Sequence, residues 1–176
     1  MSKVRRTFLA SIGFFLAGAV LFFAALKVGW PQVVDSRAKS QLQVAIRTSD
    51  EVEISYLSDP KGHPNAPRCR TKVDALEYAI TSTQRLDAGQ TKEFLGILEA
   101  LIFDARGGTM CHDPGFVLRF SREGREILSC SLCLKCSNVE LEAFPFVPIW
   151  VTIFDRKAEG FSLPQIESFL AKIKPG

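Results

Sequence analysis

Three cysteines stand three apart in "SCSLCLKCSN", at Cys130, Cys133 and Cys136; Cys69 and Cys111 bring the total to five. Thiols at such spacing can form a disulfide, ligate a metal as thiolates, or work as a redox pair. Heme attachment is excluded, because Ser137 follows Cys136 where histidine is needed. A zinc site would take Cys111, Cys133 and Cys136, with His112 or Cys130 fourth. His112 adjoins Cys111, which is awkward for a tetrahedron. A redox pair at Cys133 and Cys136 would lack the helix N-terminus that lowers a thiol pKa in thioredoxin-type sites. The expected arrangement is one disulfide among Cys111, Cys133 and Cys136, with no cofactor; zinc is the alternative. No Ser-His-Asp set, catalytic carboxylate pair or phosphate loop can be assembled. His63 falls in a proline-rich loop and reads as a solvated side chain.

The compartment follows from the N-terminus. "TFLASIGFFLAGAVLFFAAL", Thr7 to Leu26, is twenty residues without a charge. As a helix it spans roughly 30 Å, the thickness of a bilayer core. Lys3, Arg5 and Arg6 precede it, and no acid appears before Asp35. That asymmetry predicts Arg5 and Arg6 inside and the bulk of the chain outside, with Trp30 as an interfacial anchor. Small residues at Ala17 and Ala19 lie within the apolar run, so an uncleaved single-pass anchor of the inner membrane is expected. "RRTFLA" offers the alternative of twin-arginine export. With the four basic residues of 1–30 set aside, 18 Lys and Arg meet 19 Asp and Glu. Such a balance gives nucleic acid no basic patch. The expected partners are the membrane and another envelope protein. Residues 1–30 are the cytoplasmic flank and anchor, 31–50 a connector with weak helical spacing at Leu42, Val44 and Ile46, and 51–176 the outer domain.

The elements that carry the cysteines come from patterning. "EVEISYL" alternates as a half-buried strand. "SDPKGHPNAPRCR" is a loop, and "ALEYAITSTQRL" a second strand. Asp87 and Gln90 form a capping box, and Phe94, Ile97, Leu98, Leu101 and Ile102 make one helix face. "GFVLRF", "EILSCSLCLKC", "NVELEAF" and "PIWVTIF" are four further strands. Ser162 is the expected cap of a closing helix, with Pro164 in its first turn, Gln165 its box partner, and Ile166, Phe169, Leu170 and Ile173 as its stripe. The fold class is α+β: a mainly antiparallel sheet with two helices on one face, behind a transmembrane helix. From Ala75 the order β-α-β-β-β-β-α resembles the TATA-binding-protein-like fold, in element order only.

A two-residue turn at Glu123-Gly124 sets the register. Val117 is then expected opposite Cys130, Pro114 opposite Cys133, and Cys111 opposite Cys136, which makes Cys111–Cys136 the leading disulfide and Cys111–Cys133 the next. Along a regular strand Cys130 and Cys136 share a face and Cys133 takes the other; a turn at "KCSN" would bring Cys136 towards Cys133. "MCHDPGFVLRF" with "SLCLKCSNVEL" also resembles a group of uncharacterised secreted or membrane-anchored bacterial proteins. Their pattern is Cys-x-x-Pro, a hairpin, then Cys-x-x-Cys-x-Asn, matched here by Cys111, Pro114, Cys133, Cys136 and Asn138. The group often carries an arginine–histidine after the proline, where this chain has Gly115-Phe116. The resemblance implies no known activity.

Overall fold

A computed structural model describes residues 29–30, 32–71, 75–104, 113–144, 147–154 and 163–174. The apolar run of 7–26, with Arg5 and Arg6, lies outside them. Among the described residues no helix is long and apolar enough to cross a membrane. Residues up to Val34 form one compact unit and Asp35 to Gly176 a second. Trp30 is helical, exposed and part of the first unit.

The second unit is α+β, with one antiparallel sheet of eight strands. The helix α1 occupies 32–48, of which 35–48 belong to this unit. In chain order follow β1 (Glu51–Ser58), β2 (Arg68–Arg70), β3 (Glu77–Arg85), α2 (Ala88–Glu99), β4 (Ile102–Asp104), β5 (Phe116–Arg122), β6 (Arg125–Cys133), β7 (Asn138–Phe144), β8 (Val147–Phe154) and α3 (Pro164–Ile173). Across the sheet the order is β2-β3-β1-β5-β6-β7-β8-β4. Short turns join β5 through β8, as antiparallel neighbours require. Three-residue strands close both edges and leave little unpaired backbone there.

One face of the sheet is apolar. Val52, Ile54 and Tyr56 of β1 stand opposite Phe120, Leu118 and Phe116 of β5. Those in turn face Leu128, Cys130 and Leu132 of β6. Val139, Leu141, Val151 and Ile153 continue the surface, all 2% exposed or less. The Tyr56 hydroxyl donates to the Leu170 carbonyl at 3.4 Å, which puts α3 over this face. Phe94 of α2 stacks on Phe169 of α3 with ring centroids 5.0 Å apart. The core is therefore a layer of β-branched and aromatic side chains under helices, the usual way an amphipathic helix and a half-wet sheet hide their apolar sides.

Several expectations need correction. The stretch read as a connector, 31–50, is helical over 32–48. Ala38, Leu42, Ala45 and Ile46 are buried, and Val44 is 54% exposed. The proline-rich loop contains a 3-10 turn at Pro60–Gly62 and ends in β2. The capping box on α2 is present: Asp87 Oδ1 accepts from the Gln90 amide at 2.8 Å, and Gln90 Oε1 from the Asp87 amide at 3.1 Å. That helix stops at Glu99, however, and Ile102 lies in the edge strand β4, 36% exposed. The cap of α3 is Leu163, with no side-chain hydrogen bond; Ser162 lies outside the described residues. Among the described residues five strands rather than the four expected run between α2 and α3, because Ile102 to Asp104 leave the helix and form β4.

The hairpin turn falls where the sequence puts it, but the register does not. Arg122 pairs with Arg125, and both turn residues have positive φ, Glu123 at 52° and Gly124 at 73°. This is the mirror-image turn whose twist suits a hairpin. The register then slips between Phe120 and Ser121, leaving Ile127 as an extra residue on β6. Beyond it Cys130 stands opposite Leu118, not Val117, and the ladder ends at Phe116 and Leu132 before reaching Pro114. We expect Gly124→Val to cost about 1 kcal/mol or more, since a β-branched residue resists φ above zero. Gly62 has an ordinary φ and open space around it, so Gly62→Val should cost less. Thermal unfolding of both variants checks this; equal shifts would contradict the turn.

Candidate functional site

The site grows from the end of β6. Cys133 is the last strand residue, and Leu134 to Ser137 turn the chain into β7. The Ser137 amide donates to the Leu134 carbonyl at 3.1 Å, and Ser137 adopts φ 46° to let Asn138 pair with Cys133. Cys136 thus sits in the turn and leaves the strand alternation. Its amide donates to Cys133 Sγ at 3.3 Å. Cys136 is disulfide-bonded. Cys69, Cys130 and Cys133 are in no disulfide. Cys111 and His112 lie outside the described residues, so the expected bond from Cys111 and the expected zinc ligands at 111 and 112 are seen only from the Cys133–Cys136 side.

The cysteines differ in environment. Cys130 belongs to the apolar face opposite Leu118, and its complete burial pushes the thiol from its ordinary value near 9 up to about 12. Cys133 lies on the other face and is 0% exposed; Cys136 is 5% exposed. Cys69 is half-buried on the edge strand β2, opposite Tyr78. Burial makes a protonated Cys130 part of folding. Its native pKa lies above the unfolded one, so its contribution is complete below about pH 9 and is lost as pH rises towards about 12. Stability should therefore fall across that window, and less steeply in Cys130→Ala. Equal slopes in denaturant titrations from pH 8.5 to 11 would contradict it.

The second face of the sheet is divided. Over β3, β1 and β5 it is charged and largely open at Glu51, Glu53, Arg85 and Arg119, where Arg85 pairs with Glu51 and Arg119 reaches Glu53 at 2.8 Å, while Ser55, which bonds Thr83 at 2.9 Å, is buried. Over β6, β7 and β8 it is polar and buried. Ser131 pairs across with Glu140, Cys133 with Asn138, and Asn138 with Thr152. Exposures there are 9% for Ser131, 3% for Glu140, 0% for Asn138 and 1% for Thr152. Glu140 alternates with the apolar Val139 and Leu141 and so falls on the polar side, yet it is buried. The sequence marks Asn138 only by its place in the Cys-x-x-Cys-x-Asn pattern. The sequence signal for the rest was the small polar residues Ser131 and Thr152 inside otherwise apolar strands.

Elsewhere a cleft of about 510 Å³ opens at the ends of β1, β3 and β5, where the Tyr78 hydroxyl approaches Asp113 Oδ1 at 3.5 Å. Among the described residues no three His, Cys, Asp or Glu side chains are grouped to hold a metal ion. No protein-family model, curated protein or solved structure matches the chain.

Proposed function

We propose that the chain is a single-pass membrane protein whose α+β unit is displayed outside the membrane as a non-catalytic interaction or binding module, cross-linked between Cys111 and Cys136. The disulfide at Cys136 carries this reading. Such bonds persist in oxidising compartments and are rare in the cytosol. With Cys69, Cys130 and Cys133 in no disulfide, Cys111 is the cysteine left to pair within the chain. The uncharged run from Thr7 to Leu26 behind Arg5 and Arg6 supplies the anchor in the matching orientation. The charged, open half of the sheet over β3, β1 and β5 is the surface offered to an envelope partner.

Two observations count against the thiol-chemistry alternative. A thiol pair that serves external substrates must be reachable, and Cys133 and Cys136 are 0% and 5% exposed. A metal ligand must be a thiolate, and the Cys136 sulfur is held in a disulfide. A reporter fused after Gly176 tests the placement. It should be active only in the form that works outside the cytoplasm; activity of a cytoplasm-only reporter would overturn it. Replacing Arg5 and Arg6 by lysine should leave that placement unchanged, whereas lost export would favour the twin-arginine route.

A further inference from the structure

Cys133 has no part in the cross-link, yet it is the thiol the fold keeps beside it. It sits three residues before Cys136 at the base of a four-residue turn, with the Cys136 amide directed at its sulfur at 3.3 Å. Leu134 and Ser137 close the turn, and the contact of the Cys136 amide with Cys133 Sγ keeps that sulfur next to the residue it would join. The other two cysteines outside the disulfide are differently placed. Cys130 points to the apolar face, with a thiol pushed up to about 12, and Cys69 lies on the edge strand β2. Burial shields the Cys133 sulfur from reagents in solution without separating it from its neighbour.

We propose that Cys133 is an internal exchange partner of the Cys136 disulfide, so that the cross-link moves between its long-range pairing and the Cys133–Cys136 turn. The Cys133 sulfur attacks Cys136 Sγ as its own proton passes to the departing sulfur. The Cys133–Cys136 bond forms as the old bond to Cys136 breaks. The electron pair leaves on the former partner sulfur, which takes up that proton. One disulfide is exchanged for another, so no outside oxidant or reductant is consumed. The number of free thiols stays at three while a long covalent loop becomes one turn. The identity of the departing sulfur, Cys111, rests on the reading above.

Peptide mapping of the unreduced full-length protein tests this after equilibration at pH 8 with reduced and oxidised glutathione and an acid quench. A measurable fraction of molecules should carry Cys133–Cys136, with three free thiols throughout. Three thiols with Cys133 alkylated in every molecule would overturn the exchange alone. Five free thiols in unreduced wild type would overturn the disulfide reading and the exchange with it. Cys111→Ser, oxidised with glutathione disulfide, gives an independent count. Two free thiols, at Cys69 and Cys130, are expected; four, or glutathione attached to Cys136, would overturn the exchange. Because the wild-type measurement uses the intact fold, a poorly folded variant does not decide the matter.

Discussion

Phe94→Ala should destabilise the second unit by about 4 kcal/mol, the range for removing a fully buried phenylalanine and leaving its cavity behind. Phe94 is 0% exposed and stacked on Phe169, so it joins α2 to α3 above the sheet. Neither neighbour can refill the space without leaving its own packing. On a unit of this size the loss lowers the unfolding temperature by about 10 °C or more. Val44→Ala is the companion variant, since Val44 is 54% exposed and should shift stability by less than about 0.5 kcal/mol. Denaturant unfolding of the two variants measures both. A small effect at Phe94 would mean that α2 and α3 do not share a core.

Cys136→Ser should lower stability by about 3 kcal/mol, with a matching drop of about 10 °C. The magnitude is the chain entropy regained by the unfolded state when the proposed Cys111–Cys136 loop of about 25 residues is no longer closed. Serine is nearly isosteric, so packing at the turn contributes little to the loss. The free thiols, counted under denaturing conditions without reductant, should rise from three to four. Wild type treated with reductant should show the same destabilisation, and the variant should be insensitive to it. If reductant destabilises both equally, the bond at Cys136 is not what stabilises the fold.

The parts of this structure that were legible in the sequence are those with local chemical causes. Asp87 and Gln90 announced α2 because a capping box needs only two side chains and their own backbone. Gly124 marked the hairpin because a mirror-image turn requires positive φ. What stayed hidden depends on the rest of the fold. The bulge at Ile127 moved every residue from Leu128 to Leu132 by one place against β5, and an isoleucine carries no sign of it. In α1 two of the five buried positions, Val34, Ala38, Leu42, Ala45 and Ile46, are alanines, so the stripe is weak in the sequence while exposed Val44 resembles part of it. Leu101 and Ile102 continue the i+3, i+4 spacing of α2, which masked a three-residue strand too short to show a period of two. Glu140 sits where alternation puts it, but alternation says nothing about whether a polar face is covered.

The most direct test of the central claim is peptide mapping of the full-length protein, quenched with acid in intact cells, alkylated under denaturing conditions and digested without reduction. The account predicts one cross-linked peptide pair joining Cys111 to Cys136, with alkylated Cys69, Cys130 and Cys133, apart from the fraction exchanged to Cys133–Cys136. Cys111 and Cys136 recovered as alkylated thiols, or stoichiometric zinc that is lost on chelation, would contradict it and replace the disulfide-bonded outer module with a reduced or metal-binding one.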